Sequence, residues 1–96
     1  MDFLQIISRL EEEIKSNCKF ELLEMHYLPY SFGSGTTVYR LKGRNLKVNF
    51  DGRNRVIDVK LSPKHEKHST DKGDTIFDGT TSAFFDNGIT LIINAL

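Results

Sequence analysis

Cysteine, proline and long apolar runs are scarce in this chain, and neither sign of charge is in excess. Its 96 residues include one cysteine, Cys18, which excludes an internal disulfide and cannot form a zinc site alone. No apolar run approaches the ~20 residues that a transmembrane helix needs, so no membrane contact is expected. The first four residues carry no basic stretch of the kind that opens a secretory signal. A cytoplasmic protein is therefore expected.

Charge and length limit the classes of protein to which this chain can belong. Thirteen Lys and Arg residues balance thirteen Asp and Glu residues, which excludes a globally basic nucleic-acid-binding protein. Hydrophobic residues make up 39% of the chain and charged residues 27%, a composition typical of folded proteins. Residues 1–96 are expected to form a single domain.

The first seventeen residues have the periodicity of an amphipathic helix. Its apolar residues recur at spacings of three and four, so they share one stripe: Phe3, Ile6, Ile7, Leu10 and Ile14. Asp2 and Gln5 have the spacing of a capping box. Asn17 is expected to end the helix.

Four strands are predicted between residues 19 and 62. The first runs from Lys19 to Leu28 with apolar residues on both faces, and a glycine-bearing loop follows over residues 30–35. Lys42-Gly43-Arg44-Asn45 then suits a two-residue type II′ turn with Gly43 at its first central position. That turn pairs Leu41 with Leu46, Tyr39 with Val48 and Thr37 with Phe50.

The register of the next hairpin is predicted from the matching of apolar residues. A loop centred on Asp51-Gly52 would set Val48 against Arg55, whereas a tight loop at Arg53-Asn54 pairs apolar residues throughout. Because a slip in register loses buried area, the second arrangement is favoured. It pairs Phe50 with Ile57, Val48 with Val59 and Leu46 with Leu61.

The C-terminal third is predicted as a loop followed by a helix. Pro63 ends the fourth strand, and residues 64–74, which contain no aliphatic side chain, are expected to form a solvated loop. Residues 82–96 fit a helix or a fifth strand, and a helix is favoured because its stripe holds the large apolar residues. Those residues are Phe85, Ile89, Ile92, Ile93 and Leu96.

These elements predict an α+β fold with an N-terminal helix, a four-stranded antiparallel meander and a C-terminal helix. Both helices are expected on one face of the sheet. Besides the apolar stripe of the first helix, the predicted core comprises Leu23, Met25, Tyr39, Leu41, Leu46, Val48, Phe50, Ile57, Val59, Leu61, Phe85, Ile89 and Ile92.

Charge is unevenly distributed along the neutral chain. Residues 36–60 carry seven Lys and Arg against two Asp, a net charge of +5. The predicted register sets Arg40 opposite Lys47 and Lys47 opposite Lys60, and like charges directly opposite one another are destabilising. Such a row either stays hydrated and guards the sheet against aggregation, or meets an acidic partner.

Motifs for catalysis and metal binding are incomplete. His65 and His68 stand three apart in a predicted loop, whereas the zincin motif needs two histidines four apart on a helix. No metal and no other cofactor is expected, and no catalytic residue is assigned. A histidine-dependent hydrolase would require His26 close to His65 or His68, and it remains the third alternative.

Large rings and arginines in the loops are candidates for binding a partner. Tyr30 and Phe32 lie in a glycine-bearing loop, where they either meet a partner or fold back on the sheet edge as a lid. Arg53 and Arg55 flank a tight turn and should project into solvent. The predicted partner-binding set is Tyr30, Phe32, Arg40, Arg53, Arg55, Lys47 and Lys60.

Three segments of the middle of the chain carry a resemblance to known proteins. They are Tyr27-Leu28-Pro29-Tyr30-Ser31-Phe32-Gly33-Ser34-Gly35, Tyr39-Arg40-Leu41-Lys42-Gly43-Arg44 and Phe50-Asp51-Gly52-Arg53. With its size and composition, the chain resembles immunity proteins of bacterial toxin–immunity pairs, such as those of contact-dependent growth inhibition. The resemblance implies a cytosolic, non-enzymatic protein that binds and neutralises one cognate toxin domain.

The sequence therefore predicts protein binding without catalysis, in the form of an immunity protein. The runner-up function is a small nucleic-acid-binding regulator that uses the basic sheet over residues 36–60. Sheet-based RNA readers stack bases on exposed rings, and the predicted outer face offers cations but no ring, which favours a protein partner.

Overall fold

The computed structural model describes residues 3–62 and 74–96. An N-terminal helix, α1 (Phe3–Lys15), is followed by five strands: β1 (Glu21–Leu28), β2 (Ser34–Leu41), β3 (Arg44–Asp51), β4 (Val56–Leu61) and β5 (Asp74–Thr80). The chain ends in α2 (Thr81–Ala83), a π-helical turn (Phe84–Gly88) and α3 (Ile89–Ala95). The strands form one antiparallel sheet in the order β1-β2-β3-β4-β5, so the α+β class and the two terminal helical segments are confirmed.

The core lies between the inner face of the sheet and the helices. The whole predicted stripe of α1 is buried, as are the inward residues of β2, β3 and β4. Two predicted core residues are wrong, because Leu23 and Met25 lie on the edge strand β1 and are each 39% exposed. Two further rings, Phe77 from β5 and Phe84 from the π-helical turn, complete the core.

The turn between β2 and β3 differs from the predicted one. Lys42 and Gly43 occupy its two central positions with φ of 50° and 73°, which makes it a type I′ turn that opposes Leu41 to Arg44. Tyr39 therefore pairs with Leu46 and not with Val48. Because the slip is two residues, every side chain keeps the face that the sequence predicts.

This shift breaks the predicted row of three cations. Arg40 lies opposite Asn45, while Lys47 lies between Val38 and Lys60. The predicted pairing of Lys47 with Lys60 is confirmed, together with the rest of the β3–β4 register.

The fifth strand, β5, lies in a segment where no strand is predicted. β5 pairs along β4 and brings Phe77 opposite Val59 on the inner face. The favoured C-terminal helix is confirmed, but it contains one turn of π-helix in which the Ile89 N–H donates to the Phe84 carbonyl oxygen. Phe84 is consequently fully buried and the predicted core residue Phe85 only half-buried.

Candidate functional site

Two loops meet at one end of the sheet. Residues 29–33 join β1 to β2, and residues 52–55 join β3 to β4. The Gly52 N–H donates to the Ser34 hydroxyl over 2.9 Å. A Cβ on Gly52 would stand 1.9 Å from the carbonyl oxygen of Phe32, so only glycine allows the two loops this close approach.

The aromatic residues of the first loop face solvent. Tyr30 is 85% exposed and Phe32 is 68% exposed, so neither ring is folded back as a lid. Hydrogen bonds from Ser31 N to Leu28 O and from Ser34 N to Ser31 O, both 3.0 Å long, close the loop on itself. Phe32 has a φ of 58°, a conformation that few non-glycine residues adopt.

The second loop is organised by Asp51. Its Oδ1 accepts hydrogen bonds from the N–H groups of Arg53 (3.0 Å) and Asn54 (3.3 Å), and its Oδ2 accepts one from Asn54 Nδ2 (2.8 Å). The side-chain hydrogen bond from Asn54, followed by the backbone one, lowers the pKa of Asp51 below its ordinary value. The carboxylate therefore holds the loop in place.

The loops bring together four of the predicted partner-binding residues, here called the loop-end cluster: Tyr30, Phe32, Arg53 and Arg55. The Arg53 guanidinium lies over the Phe32 ring, 5.9 Å from its centroid, in cation–π geometry. Arg55 is exposed, while its carbonyl oxygen accepts a hydrogen bond from Thr81 N at the start of α2 (3.1 Å). The cluster is thus anchored through its backbone and exposed through its side chains.

The remaining predicted residues, Arg40, Lys47 and Lys60, lie on the outer face of the sheet. Arg40 stands beside the 42–43 turn, at the end of the sheet opposite the loop-end cluster. Lys47 and Lys60 are half-buried in the middle of the face. The structure therefore does not bring these three residues together with the cluster.

Acidic and neutral residues interrupt the cations of this outer face. One row crosses the strands as Glu21, Arg40 and Asn45, and the next as Glu24, Val38, Lys47, Lys60 and Thr75. A third row ends with Asp58 opposite Asp78, and Thr36 Oγ1 donates to Asn49 Oδ1 within it (2.7 Å). The outer face is thus mixed in charge and not a continuous basic surface.

A shallow groove lies beside α1. Ser8, Glu11, Lys15, Cys18 and Phe20 are among its lining residues. Glu11 has a structural role, because its Oε2 accepts a 2.6 Å hydrogen bond from the hydroxyl of the fully buried Tyr39. Burial and that hydrogen bond raise the pKa of Tyr39 well above its ordinary value of 10.0.

The raised pKa of Tyr39 predicts a specific loss of stability in alkali. The folded protein holds this proton more tightly than the unfolded chain, so the stabilisation is complete below about pH 10 and is lost as the pH rises above it. The unfolding free energy of the wild type should therefore fall more steeply above pH 10 than that of Tyr39→Phe. Urea denaturation at several pH values measures both, and Tyr30→Phe, at an exposed ring, should behave like the wild type.

The described residues hold few groups suited to metal chemistry. His26 is exposed on β1 with Nε2 3.6 Å from Glu24 Oε1, and the predicted loop histidines His65 and His68 lie outside the described residues. Over residues 3–62 and 74–96, no three His, Cys, Asp or Glu side chains gather as a metal site would require.

Comparisons with protein-family models, with curated proteins and with solved structures give no significant match to this chain. Within the part of the chain that the structure describes, no helix has both the length and the apolar character needed to cross a membrane.

Sequence reasoning identified the exposed side chains of the cluster but missed the residues that position them. The tight loop predicted at Arg53-Asn54 is a four-residue loop over residues 52–55, which follows Asp51 at the end of β3. The sequence does carry a signal for the geometry of this loop. Asp51 stands two residues before Arg53 and three before Asn54, a spacing that is typical of an Asx turn. The contact of Gly52 with Ser34 has no such local signal.

Proposed function

We propose that this protein is a non-enzymatic binding module that recognises an acidic surface of a partner protein with its loop-end cluster. The observation that carries the proposal is the exposure of Tyr30 and Phe32 on a hydrogen-bonded loop with an arginine stacked on one ring. Tyrosine and arginine are enriched among the residues that dominate binding energy at protein interfaces, and large aromatic rings in general are enriched there. Rings of this size gain nothing for folding while they face solvent.

The cluster is prepared for binding before a partner arrives. Ser34 and Asp51 hold the backbone of the two loops, and the contact with Phe32 restricts Arg53. Groups that are ordered in the free protein lose less entropy on association, so their contacts contribute more fully to affinity. Loops held on a rigid sheet are a common location for recognition residues.

The charge of the cluster favours an acidic partner. Arg53 and Arg55 are both exposed, and the carboxylate of Asp51, the last residue of β3, accepts hydrogen bonds from the amides of the following loop. The surface that remains is positive and partly aromatic. An acidic patch with an apolar centre complements it.

The sharpest form of this proposal is an immunity protein that neutralises a cognate toxin domain in the cytoplasm. The sequence resemblance supports that form, and the mode of binding follows from the loop-end cluster. The second candidate is a nucleic-acid-binding regulator, because exposed rings beside arginines also suit stacking on unpaired bases. The mixed charge of the outer face supports a protein partner over a nucleic acid, since phosphate binding needs a continuous basic path.

Capture of the partner tests the proposal. The tagged full-length protein is co-expressed with the products of the adjacent genes, and the double variant Phe32→Ala, Arg53→Ala is compared with Leu91→Ala, a matched truncation at a 48% exposed residue of α3. The wild type and Leu91→Ala should co-purify with one neighbouring protein. The double variant should lose it, because the variant lacks the anchors of the interface.

Three outcomes would contradict the proposal. One is equal capture by the double variant. Another is binding to random oligonucleotides with no protein partner, which would support the nucleic-acid regulator. The last is enzymatic turnover of a substrate by the wild type that His65→Ala abolishes, which would support the hydrolase.

A further inference from the structure

β1 is a free edge of the sheet with an apolar surface. It pairs with β2 on one side, and in the described residues no strand covers its other side. Seven of its eight residues are exposed, Tyr27 being half-buried. Its large apolar side chains are 39–46% exposed, namely Leu22, Leu23, Met25 and Leu28. Long apolar edges of this kind are templates for pairing with another strand.

The backbone of β1 has hydrogen-bonding groups directed away from β2. The carbonyl oxygen of Glu24 accepts from Thr37 Oγ1 on β2 (3.1 Å). The carbonyl oxygen of His26 also lies on the β2 side, 2.8 Å from where a Cβ on Gly35 would stand. Since backbone groups alternate along a strand, those of Met25 and Tyr27 are directed outward.

We infer that β1 pairs antiparallel with β1 of a second copy of this chain, about a two-fold axis at Met25. In this register Met25 opposes Met25 of the second copy, and their outward N–H and C=O groups pair. Glu24 then opposes His26 of the second copy, and His26 opposes its Glu24. The two-fold axis repeats this contact, so each interface carries two such pairs.

Pairing of a carboxylate with an imidazole selects this register over its neighbours. Glu24 and His26 share the outer face and are exposed on the edge strand. Moving the axis to Glu24 would place two glutamates opposite each other, and moving it to His26 would place two histidines opposite each other. Carboxylates directly opposite each other are unfavourable in antiparallel sheets, and an axis at His26 would form no carboxylate–imidazole pair.

The inner face of the edge gains apolar contacts in the same arrangement. Leu22 and Met25 oppose the buried residues Tyr39 and Thr37 of β2 and so lie on the inner face. Tyr27 lies on that face too, with its ring stacked 6.0 Å from that of Phe3. Pairing about Met25 joins the inner faces of two copies at Met25 and extends the sheet to ten strands. The register shift between Leu22 and Glu24 limits the regular pairing to residues 24–26 of each copy.

Sedimentation equilibrium of the full chain between about 1 and 200 µM tests the inference. The wild type should approach twice the chain mass of 11.0 kDa at the upper concentrations. Met25→Lys should remain monomeric there, because it places two cations at the axis. Leu91→Lys, the same change at a 48% exposed residue of α3, should dimerise like the wild type.

A charge exchange tests the register itself. His26→Glu should raise the dissociation constant of the dimer about tenfold or more, because it places glutamates opposite each other. Glu24→Lys combined with His26→Glu should return the dissociation constant to the wild-type value, because each pair again joins opposite charges. Wild type that stays monomeric at every concentration would overturn the inference. So would a dimer that is indifferent to both Met25→Lys and His26→Glu. Binding of a partner at the loop-end cluster does not depend on either result.

Discussion

Replacing Arg53 and Arg55 by glutamate is expected to abolish capture of the partner protein while the fold survives. Both side chains are exposed, so the free energy of unfolding should change by less than about 1 kcal/mol. At the interface the change places two carboxylates against an acidic surface. Like-charge contacts of this kind cost several kcal/mol, so the dissociation constant should rise about a hundredfold or more.

A matched double variant separates a local effect from a change in net charge. Arg40→Glu with Lys42→Glu makes the same change in charge at the opposite end of the sheet, where both side chains are exposed. Capture of the partner should persist in this variant. If both double variants lose the partner equally, binding depends on long-range charge and not on the loop-end cluster.

Truncation of Phe84 is expected to produce a large loss of stability. Phe84 is fully buried, and its ring packs edge-on against Phe77 (5.7 Å between centroids) and Phe85 (5.4 Å). Phe84→Ala should lower the free energy of unfolding by about 3–5 kcal/mol, the usual range for a buried phenylalanine. That is a large part of the total stability of a domain, about 5–15 kcal/mol.

The neighbouring residue supplies the control for this prediction. Phe85 is half-buried, so Phe85→Ala should cost clearly less than Phe84→Ala in urea denaturation. A regular α-helix would instead direct Phe85 into the core, in line with Ile89 and Ile92. A greater loss for Phe85→Ala would therefore contradict the π-helical turn.

Apolar periodicity predicted the parts of the fold in which one pattern fits one structure. The stripe of α1 is of this kind, and so is the register between β3 and β4, because the alternative register would set Arg55 opposite the buried Val48. A slip of two residues preserves every face. The turn at Lys42-Gly43 could therefore not be distinguished from its neighbour by apolar pattern alone.

The apolar pattern could not predict two other elements, β5 and the π-helical turn. β5 offers only Ile76 and Phe77 as large apolar residues, which is too few to establish an alternation. In the C-terminal segment the helical stripe assumed 3.6 residues per turn, whereas the π-helical turn shifts the buried position from Phe85 to Phe84.

The candidate site also has a part that the sequence predicts and a part that only the folded structure provides. Exposed rings and arginines in short loops are visible as residue types next to glycines and turns. Their assembly requires Gly52 to meet Ser34, two positions that are eighteen residues apart in the chain. Such a contact follows from the sheet order and the loop lengths together, which only the folded structure provides.

Titration of the isotopically labelled protein with its captured partner, followed by NMR of the backbone amides, tests the central proposal most directly. The proposal predicts that the largest changes fall on residues 30–33 and 52–55, the two loops that carry the cluster. Large changes confined to the outer-face residues Arg40, Lys47 and Lys60, with both loops unchanged, would contradict it.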